Sequence, residues 1–313
     1  MSKIQPLFEN IRLNLVIVSD THIDIKHPLP FIPKMFLKQS LSQSERSRSF
    51  PDAFLTVGDT TSRGEEINWK MTEQCFSGFK PAENIILTLG NHDCWNDNGY
   101  DTAINLYYKY FKNICGFEID KPYFSRIING YHLIFLGNDA EAGCEANIGD
   151  EQFDWFCREM EAAGESNKPI IVFCHQSLNG KHGLPRTWDR HEIPDRDPDD
   201  GGVGARSKEI ENELKKYNNV FYFSGHSHMG FAGEKTASEE GYSSIEQEDG
   251  VTLINLPSLS CNNHHGENNK PGWGMVMEIY DDKVILRPRN FSKNRWNTHI
   301  IMSDGNPYYE VQI

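Results

Sequence analysis

Residues that can bind metal ions follow five short apolar segments of this 313-residue chain. They occur in the motifs SDTHID, GDTTSRG and GNHD, then as a lone histidine, and finally in GHSH. Carboxylate and amide oxygens with imidazole nitrogens, and no thiolate, suit Mn²⁺, iron or Zn²⁺ better than a closed structural zinc site. Seven donors are too many for one tetrahedral ion and suit two ions that share a carboxylate. The candidates are Asp20, His22, Asp59, Asn91, His175, His226 and His228.

Each of these motifs comes directly after a segment that predicts a buried strand. The segments are rich in β-branched and aromatic residues and are too short for confident helices. In open α/β sheets, ligands bind beyond the carboxyl ends of the strands. We therefore expect the five motifs to meet at one edge. The predicted strands are residues 13–18, 53–57, 84–89, 131–136, 169–174 and 220–224, and all but 131–136 precede a motif.

Amphipathic segments lie between the strands and predict an α/β fold. The helical segments are residues 65–79, 150–163 and 205–217, and in the second of them Phe153, Phe156, Cys157 and Met160 share one face. After residue 250 the pattern changes to antiparallel strands, which we expect to extend a sheet. These predicted strands are residues 251–259, 274–291, with a turn at Asp281-Asp282, and 297–305. A single domain over residues 1–313 is the simplest organisation.

Two segments are predicted as long loops. Residues 27–50 are rich in proline and serine, and residues 176–204 form an insertion dense in proline, glycine and charge. Loops of this length are usually functional or disordered. The segment 176–204 is either a solvent-exposed loop or a lid over the leaving group, and in a lid Trp188 could stack on a base. Its other candidate residues are His182, His191 and Asp195 to Asp200; His264-His265, in a later loop, either line the cleft or belong to the surface.

The overall charge limits the choice of partner. A net charge of −14 repels polyanions and disfavours broad nucleic-acid binding, although a bound cation can still attract a small phosphate ester. Seven cysteines without a C-x-x-C pair indicate free thiols in a reducing compartment. The apolar segment 13–18 is well short of a membrane span, so we expect a cytoplasmic protein with no membrane partner.

The ordered motifs D-x-H, G-D, G-N-H-D, a lone histidine after a strand, and G-H-x-H resemble those of the calcineurin-like metallophosphoesterases. The resemblance spans residues 20–228. It implies a four-layer α/β/β/α sandwich of two mixed sheets, which agrees with the late antiparallel strands. It also assigns the ligands of two ions: Asp20, His22 and His228 for the first, Asn91, His175 and His226 for the second, and Asp59 as the bridge.

The same resemblance implies a reaction. A hydroxide that bridges the ions would attack the phosphorus in line, because bound metal lowers the pKa of water. His92, next to the ligand Asn91, corresponds to the family residue that protonates the leaving group. Arg63 is either a phosphate contact or an ordinary surface residue, and Asp93 is read as a helix cap or a group that supports the ligands.

One departure concerns the partner of His92. The protein-phosphatase branch has G-D-x-x-D-R-G, where the second aspartate orients the catalytic histidine, whereas this chain has Ser62 at that position. Its third motif is GNHD where that branch has GNHE. These differences argue against protein phosphatase activity and favour a small phosphodiester such as a 3′,5′-cyclic nucleotide. The alternatives are a nucleotide phosphomonoesterase or pyrophosphatase, and an inactive binding scaffold.

Overall fold

Thirteen strands, five α-helices and two short 3-10 helices make up the computed structural model, which describes residues 3–184, 201–232, 241–263, 270–298, 302 and 305–313. The strands are β1 (Leu13–Val18), β2 (Ala53–Val57), β3 (Asn84–Thr88), β4 (Phe124–Ile128), β5 (Tyr131–Phe135), β6 (Ile170–Phe173), β7 (Val220–Ser224), β8 (Ile245–Glu248), β9 (Val251–Asn255), β10 (Trp273–Ile279), β11 (Lys283–Asn290), β12 (Arg295–Trp296) and β13 (Tyr309–Gln312). The helices are α1 (Phe31–Glu45), α2 (Glu66–Phe76), α3 (Tyr100–Cys115), α4 (Asp150–Gly164) and α5 (Ser207–Leu214).

The strands form two mixed sheets. The first has the order β12-β11-β10-β1-β2-β3, with β13 paired to β11, and the second has the order β4-β5-β6-β7-β9-β8. Strands β1, β2 and β3 run parallel to one another, as do β5, β6, β7 and β9. The parallel strands therefore deliver their carboxyl ends to a common edge in each sheet.

The inner faces of the sheets pack on each other and form the largest apolar core, to which Leu15, Ile17 and Leu55 contribute from the first sheet. In the second sheet, aromatic rings stack in a row across four neighbouring strands. Their centroids are 4.7, 4.9 and 5.3 Å apart, within the range of favourable aromatic contacts. The row consists of Phe124, Phe135, Phe173 and Phe223.

Helices cover both outer faces. The buried sides of α1, α2 and α3 pack on the first sheet, and those of α4 and α5 pack on the second. The result is a four-layer α/β/β/α sandwich, as predicted. Among the described residues, no helix is long and apolar enough to span a bilayer.

The prediction of a loop over residues 27–50 is wrong, because helix α1 occupies Phe31–Glu45. Pro33 lies in its first turn, where the missing backbone N–H costs no hydrogen bond. Phe36, Leu37 and Leu41 recur at helical spacing and are buried against the first sheet. The serines between them obscured this periodicity.

The C-terminal prediction is correct in part. The hairpin of β10 and β11 turns at Asp281-Asp282, as expected. Residues 251–259 are not an antiparallel strand: β9 ends at Asn255, and it pairs in parallel with β7. Of residues 297–305, the described ones lie outside strands, and the short strands β12 and β13 flank them. Apolar content alone does not reveal strand direction, which depends on distant partners.

Candidate metal centre

The backbone beyond the strand ends turns sharply at the candidate ligands. Five of the seven have a positive φ, in the left-handed region that non-glycine residues rarely enter. Aspartate, asparagine and histidine tolerate this region better than most residues, and held outliers cluster at functional sites. The sharp turns let short loops aim several side chains at one point. The φ values are 52° at Asp20, 47° at His22, 48° at Asp59, 65° at His226 and 48° at His228.

Asp59 lies at the middle of the centre. Its Oδ1 atom accepts a hydrogen bond from the backbone N–H of His92 at 2.9 Å. Its Oδ2 atom is 3.1 Å from Nε2 of His175 and 3.8 Å from Nε2 of His22. Asp59 therefore belongs to two compact donor clusters, one with His22 and His92 and one with His175 and His226.

Asp20 is held in a similar way. Its Oδ2 atom accepts hydrogen bonds from Oγ of Ser19 at 2.6 Å and from the backbone N–H of His226 at 3.1 Å. Its Oδ1 atom is 3.0 Å from Nε2 of His228, which is also 3.0 Å from Nε2 of His22. Both carboxylates thus have one oxygen fixed by the protein and the other turned towards histidines.

Unsatisfied polar atoms show that the centre suits a cation. Asn91 Oδ1 is buried and accepts no hydrogen bond within the described part of the chain. His175 donates from Nδ1 to the carbonyl of Val57 at 2.7 Å, which leaves Nε2 facing Asp59. Two acceptors face each other favourably only with a proton or a metal ion between them. Oxygen and nitrogen donors in this arrangement fit two transition-metal ions.

The charges in the metal-free centre are strongly coupled. Burial disfavours a charged His175, but Asp59 and Asp20 outweigh it and raise the pKa of His175 to about 9. Burial likewise opposes ionisation of Asp59, yet the imidazoles, His175 foremost, hold the pKa of Asp59 below its usual range. Burial, with His175 nearby, lowers the pKa of His226 to about 3. In the metal-free protein, a proton on His175 therefore supplies positive charge that a bound metal ion would otherwise supply.

His92 is oriented by a backbone carbonyl. Its Nδ1 atom is 2.9 Å from the carbonyl oxygen of Ser62, which can only accept, so Nδ1 donates. Its ring packs on Trp95 with centroids 3.9 Å apart, and Nε2 is 3.9 Å from Oδ2 of Asp59. The side chain is 29% exposed, unlike the fully buried His175. The backbone of Ser62 thus makes the contact that an aspartate side chain makes in the protein-phosphatase branch.

Asp93 joins two of the motif loops. Its buried carboxylate accepts hydrogen bonds from the backbone N–H groups of Thr60, Thr61 and Gly90 and from the Thr61 hydroxyl, at 2.8–3.2 Å. All its contacts are with the loops rather than with the histidines. It therefore ties the loop that follows Asp59 to the glycine that precedes Asn91.

The remaining residues predicted to contact substrate either bond to other protein groups or fall outside the described residues. Arg63 donates to Glu65 at 3.2 Å and to Asp97, so two carboxylates engage its guanidinium. Its role as a phosphate contact stays a prediction. His182 is buried, and its Nδ1 donates to the carbonyl of Ser243 at 2.8 Å. Trp188, His191, Asp195 to Asp200 and His264-His265 fall outside the described residues.

A cysteine that the motifs do not include lies beside the centre. The Sγ atom of Cys261 and the ring nitrogens of His22 and His228 all lie within 4.8 Å of one another. Sequence reasoning missed it because residues 251–259, which include β9, were interpreted as an antiparallel strand. In a parallel strand, the residues after Asn255 point to the same edge as the motifs, and that signal would have identified Cys261.

The glycines that precede the ligands are required by close packing. A Cβ atom on Gly58 would lie 2.4 Å from Nδ1 of His175, and one on Gly90 would lie 2.2 Å from the backbone nitrogen and Oδ1 of Asp59. Real Cβ atoms essentially never approach other atoms this closely. The motifs therefore read G-D and G-N-H-D because no larger residue fits before the ligand.

Comparisons with known proteins identify the family of the chain. A sequence model of the calcineurin-like phosphoesterase family matches residues 13–230, and the chain belongs to that family. It is thus a metal-dependent phosphoesterase by class.

Among solved structures, the fold is similar to that of a dimetal phosphatase from Danio rerio, with a TM-score of 0.61 and 12% identity over 90% of this chain and 97% of that one. Vps29 from Entamoeba histolytica, in its zinc complex, matches with a TM-score of 0.38 and 10% identity over 96% and 99% of the two chains. A search of curated proteins gave no significant match.

Proposed function

We propose that this protein is a dinuclear-metal phosphodiesterase that hydrolyses a small phosphodiester, with a 3′,5′-cyclic nucleotide as the first candidate. The observation that carries the proposal is that two donor clusters share the Asp59 carboxylate. One carboxylate between two groups of histidines is the arrangement that a two-metal site needs. The first ion would be held by Asp20, His22 and His228, the second by Asn91, His175 and His226, and both by Asp59.

The chain's own residues have definable parts in the reaction. Bound metal ions would neutralise the ester and supply a nucleophile near neutral pH. His92 in its protonated form keeps Nδ1–H on the Ser62 carbonyl and has Nε2–H available for the leaving alkoxide. Its partial exposure allows contact with a substrate that enters from solvent. Asp93 keeps the loops of Asp59 and Asn91 at a fixed separation.

The engagement of Arg63 supports a diester over a monoester. A phosphomonoester carries up to two negative charges at neutral pH, whereas a diester carries one. Glu65 and Asp97 offset the charge of Arg63 and leave less of it for a dianionic ester. In the second motif, Ser62 stands where the protein-phosphatase branch has its second aspartate, which further separates this chain from that branch.

A substrate panel on Mn²⁺-loaded protein tests the proposal. It contains a bis-aryl phosphate, 3′,5′-cyclic AMP, a dinucleotide, an aryl monoester and a pyrophosphate, with Asp59→Asn as the matched inactive variant. We expect diester turnover that Asp59→Asn removes. Brisk monoester or pyrophosphate hydrolysis without any diester turnover would assign the phosphomonoesterase or pyrophosphatase alternative. If fully metallated protein hydrolyses none of these esters, the result favours the inactive binding scaffold.

A further inference from the structure

The turn that carries Cys261 is bonded to the loop that carries Asp20. The backbone N–H of Leu259 donates to the carbonyl of Ser19 at 2.9 Å, and Oγ of Ser258 donates to the carbonyl of Asp20 at 2.8 Å. The same Oγ accepts a hydrogen bond from the backbone N–H of Cys261 at 2.9 Å. These contacts hold Cys261 at a fixed position relative to the first metal position.

The donor atoms around Cys261 lie almost as close together as the ligands of a single metal ion. Its Sγ lies within 4.8 Å of the ring nitrogens of His22 and His228, whose Nε2 atoms are 3.0 Å apart. His228 in turn is 3.0 Å from Oδ1 of Asp20. Ligands of a zinc-like ion, with metal–nitrogen and metal–sulfur bonds of about 2.1 and 2.3 Å, lie at most about 4.4 Å apart. A small side-chain adjustment brings the sulfur into this range.

We propose that Cys261 binds the ion at the Asp20–His22–His228 position through its sulfur. The inference rests on the proposed dinuclear centre and adds to it a ligand outside the motifs. The thiol proton leaves to solvent as the metal–sulfur bond forms. The cluster of Asp59, His175 and His226 contains no sulfur, so the donor atoms of the first position are softer than those of the second. A soft donor favours Zn²⁺, Fe²⁺ or Co²⁺ over Mn²⁺ at the first position.

Cys157 provides a matched control. It is likewise only partly buried, but it lies on the outer helix α4, where its Sγ atom is 3.4 Å from a carboxylate oxygen of Glu213. It belongs to none of the donor clusters found among the described residues. A serine at this position therefore changes a thiol without touching the metal centre.

Cobalt spectroscopy distinguishes a bound sulfur from a nearby one. Wild type, Cys261→Ser and Cys157→Ser are stripped of metal, reconstituted with Co²⁺ and compared by near-ultraviolet absorption, with cobalt content measured by elemental analysis. Thermal melting of each metal-free variant verifies that it folds. We expect a thiolate-to-cobalt charge-transfer band in wild type and Cys157→Ser, and its loss in Cys261→Ser with cobalt still bound by the histidines and Asp20.

The outcomes separate this inference from the proposed function. A wild type that holds two cobalt ions per chain without the band would overturn the sulfur ligand and leave the dinuclear centre intact. A band that persists in Cys261→Ser would do the same. Failure of wild type to bind cobalt would refute the centre itself, and the sulfur ligand with it.

Discussion

His92 is held by main-chain contacts rather than by an acidic side chain. The Ser62 carbonyl fixes Nδ1, and Trp95 supports the face of the ring. A carbonyl orients the ring as an aspartate would, but it carries no full negative charge to stabilise the imidazolium. At residue 62 a main-chain carbonyl therefore orients the ring of His92.

The role of His92 predicts a dependence on the leaving group. His92→Ala should lower turnover of an alkyl diester by about 10²–10⁴-fold, the usual value of a positioned acid. The loss should be much smaller for an aryl diester, because a good leaving group needs no proton. Steady-state kinetics on both substrates, with metal content measured in parallel, provides the comparison. Equal losses on the two substrates would contradict a proton-donating role.

The raised pKa of His175 predicts proton release on metal binding. Because the pKa of His175 is about 9, its ring holds a proton at neutral pH in the metal-free protein, and an ion must displace that proton. Metal affinity should therefore increase as the pH rises towards 9 and change less above it. Metal titration of Cys261→Ser near pH 7.5 should release about one proton per chain from His175, and no thiol proton contributes in this variant. Equal metal affinities at pH 6.5 and 8.5 would contradict the displacement of a proton from His175.

At the scale of the elements, the sequence was most informative where strands end. Five apolar segments followed by polar motifs predicted β1, β2, β3, β6 and β7 and the edge where they meet, because side-chain chemistry there is local. Helix α1 and the parallel direction of β9 were missed, because proline and serine mask the first and distant pairing decides the second. Cys261 was missed because the direction of β9 was wrong.

The tight glycine positions give a prediction for the loops. Gly90→Ala should lower metal content and activity together, because the new Cβ atom would displace the Asp59 carboxylate. Gly143→Ala is the control, since a Cβ atom there meets nothing within 4 Å. Elemental analysis of the two purified variants decides the matter. Full metal content in Gly90→Ala would show that the loop can shift without loss of the site.

The row of stacked rings gives a prediction for the second sheet. Phe173→Ala should lower the free energy of unfolding by about 3–5 kcal/mol, because it opens a cavity between two stacked neighbours. Phe31→Ala, at a residue that is 57% exposed, should change it by less than about 0.5 kcal/mol. Denaturant unfolding of both metal-free variants measures the difference. Similar small changes in the two would mean that the row contributes little to stability.

For the molecule as a whole, the metal centre joins the two sheets. Asp20, Asp59 and Asn91 follow strands of the first sheet, whereas His175 and His226 follow strands of the second. Ions bound between them would link the sheets at one edge, and ligand linkage gives about 2.7 kcal/mol of stabilisation at 100 times the dissociation constant. The net charge of −14 is compatible with an anionic substrate, since bound metal ions would place positive charge at this edge.

Anomalous scattering from Co²⁺-loaded crystals measures most directly whether Asp59 joins two ions. A dinuclear centre predicts two anomalous peaks about 3.5–4 Å apart, one on each side of the Asp59 carboxylate. A single peak, or peaks that do not contact Asp59, would contradict it.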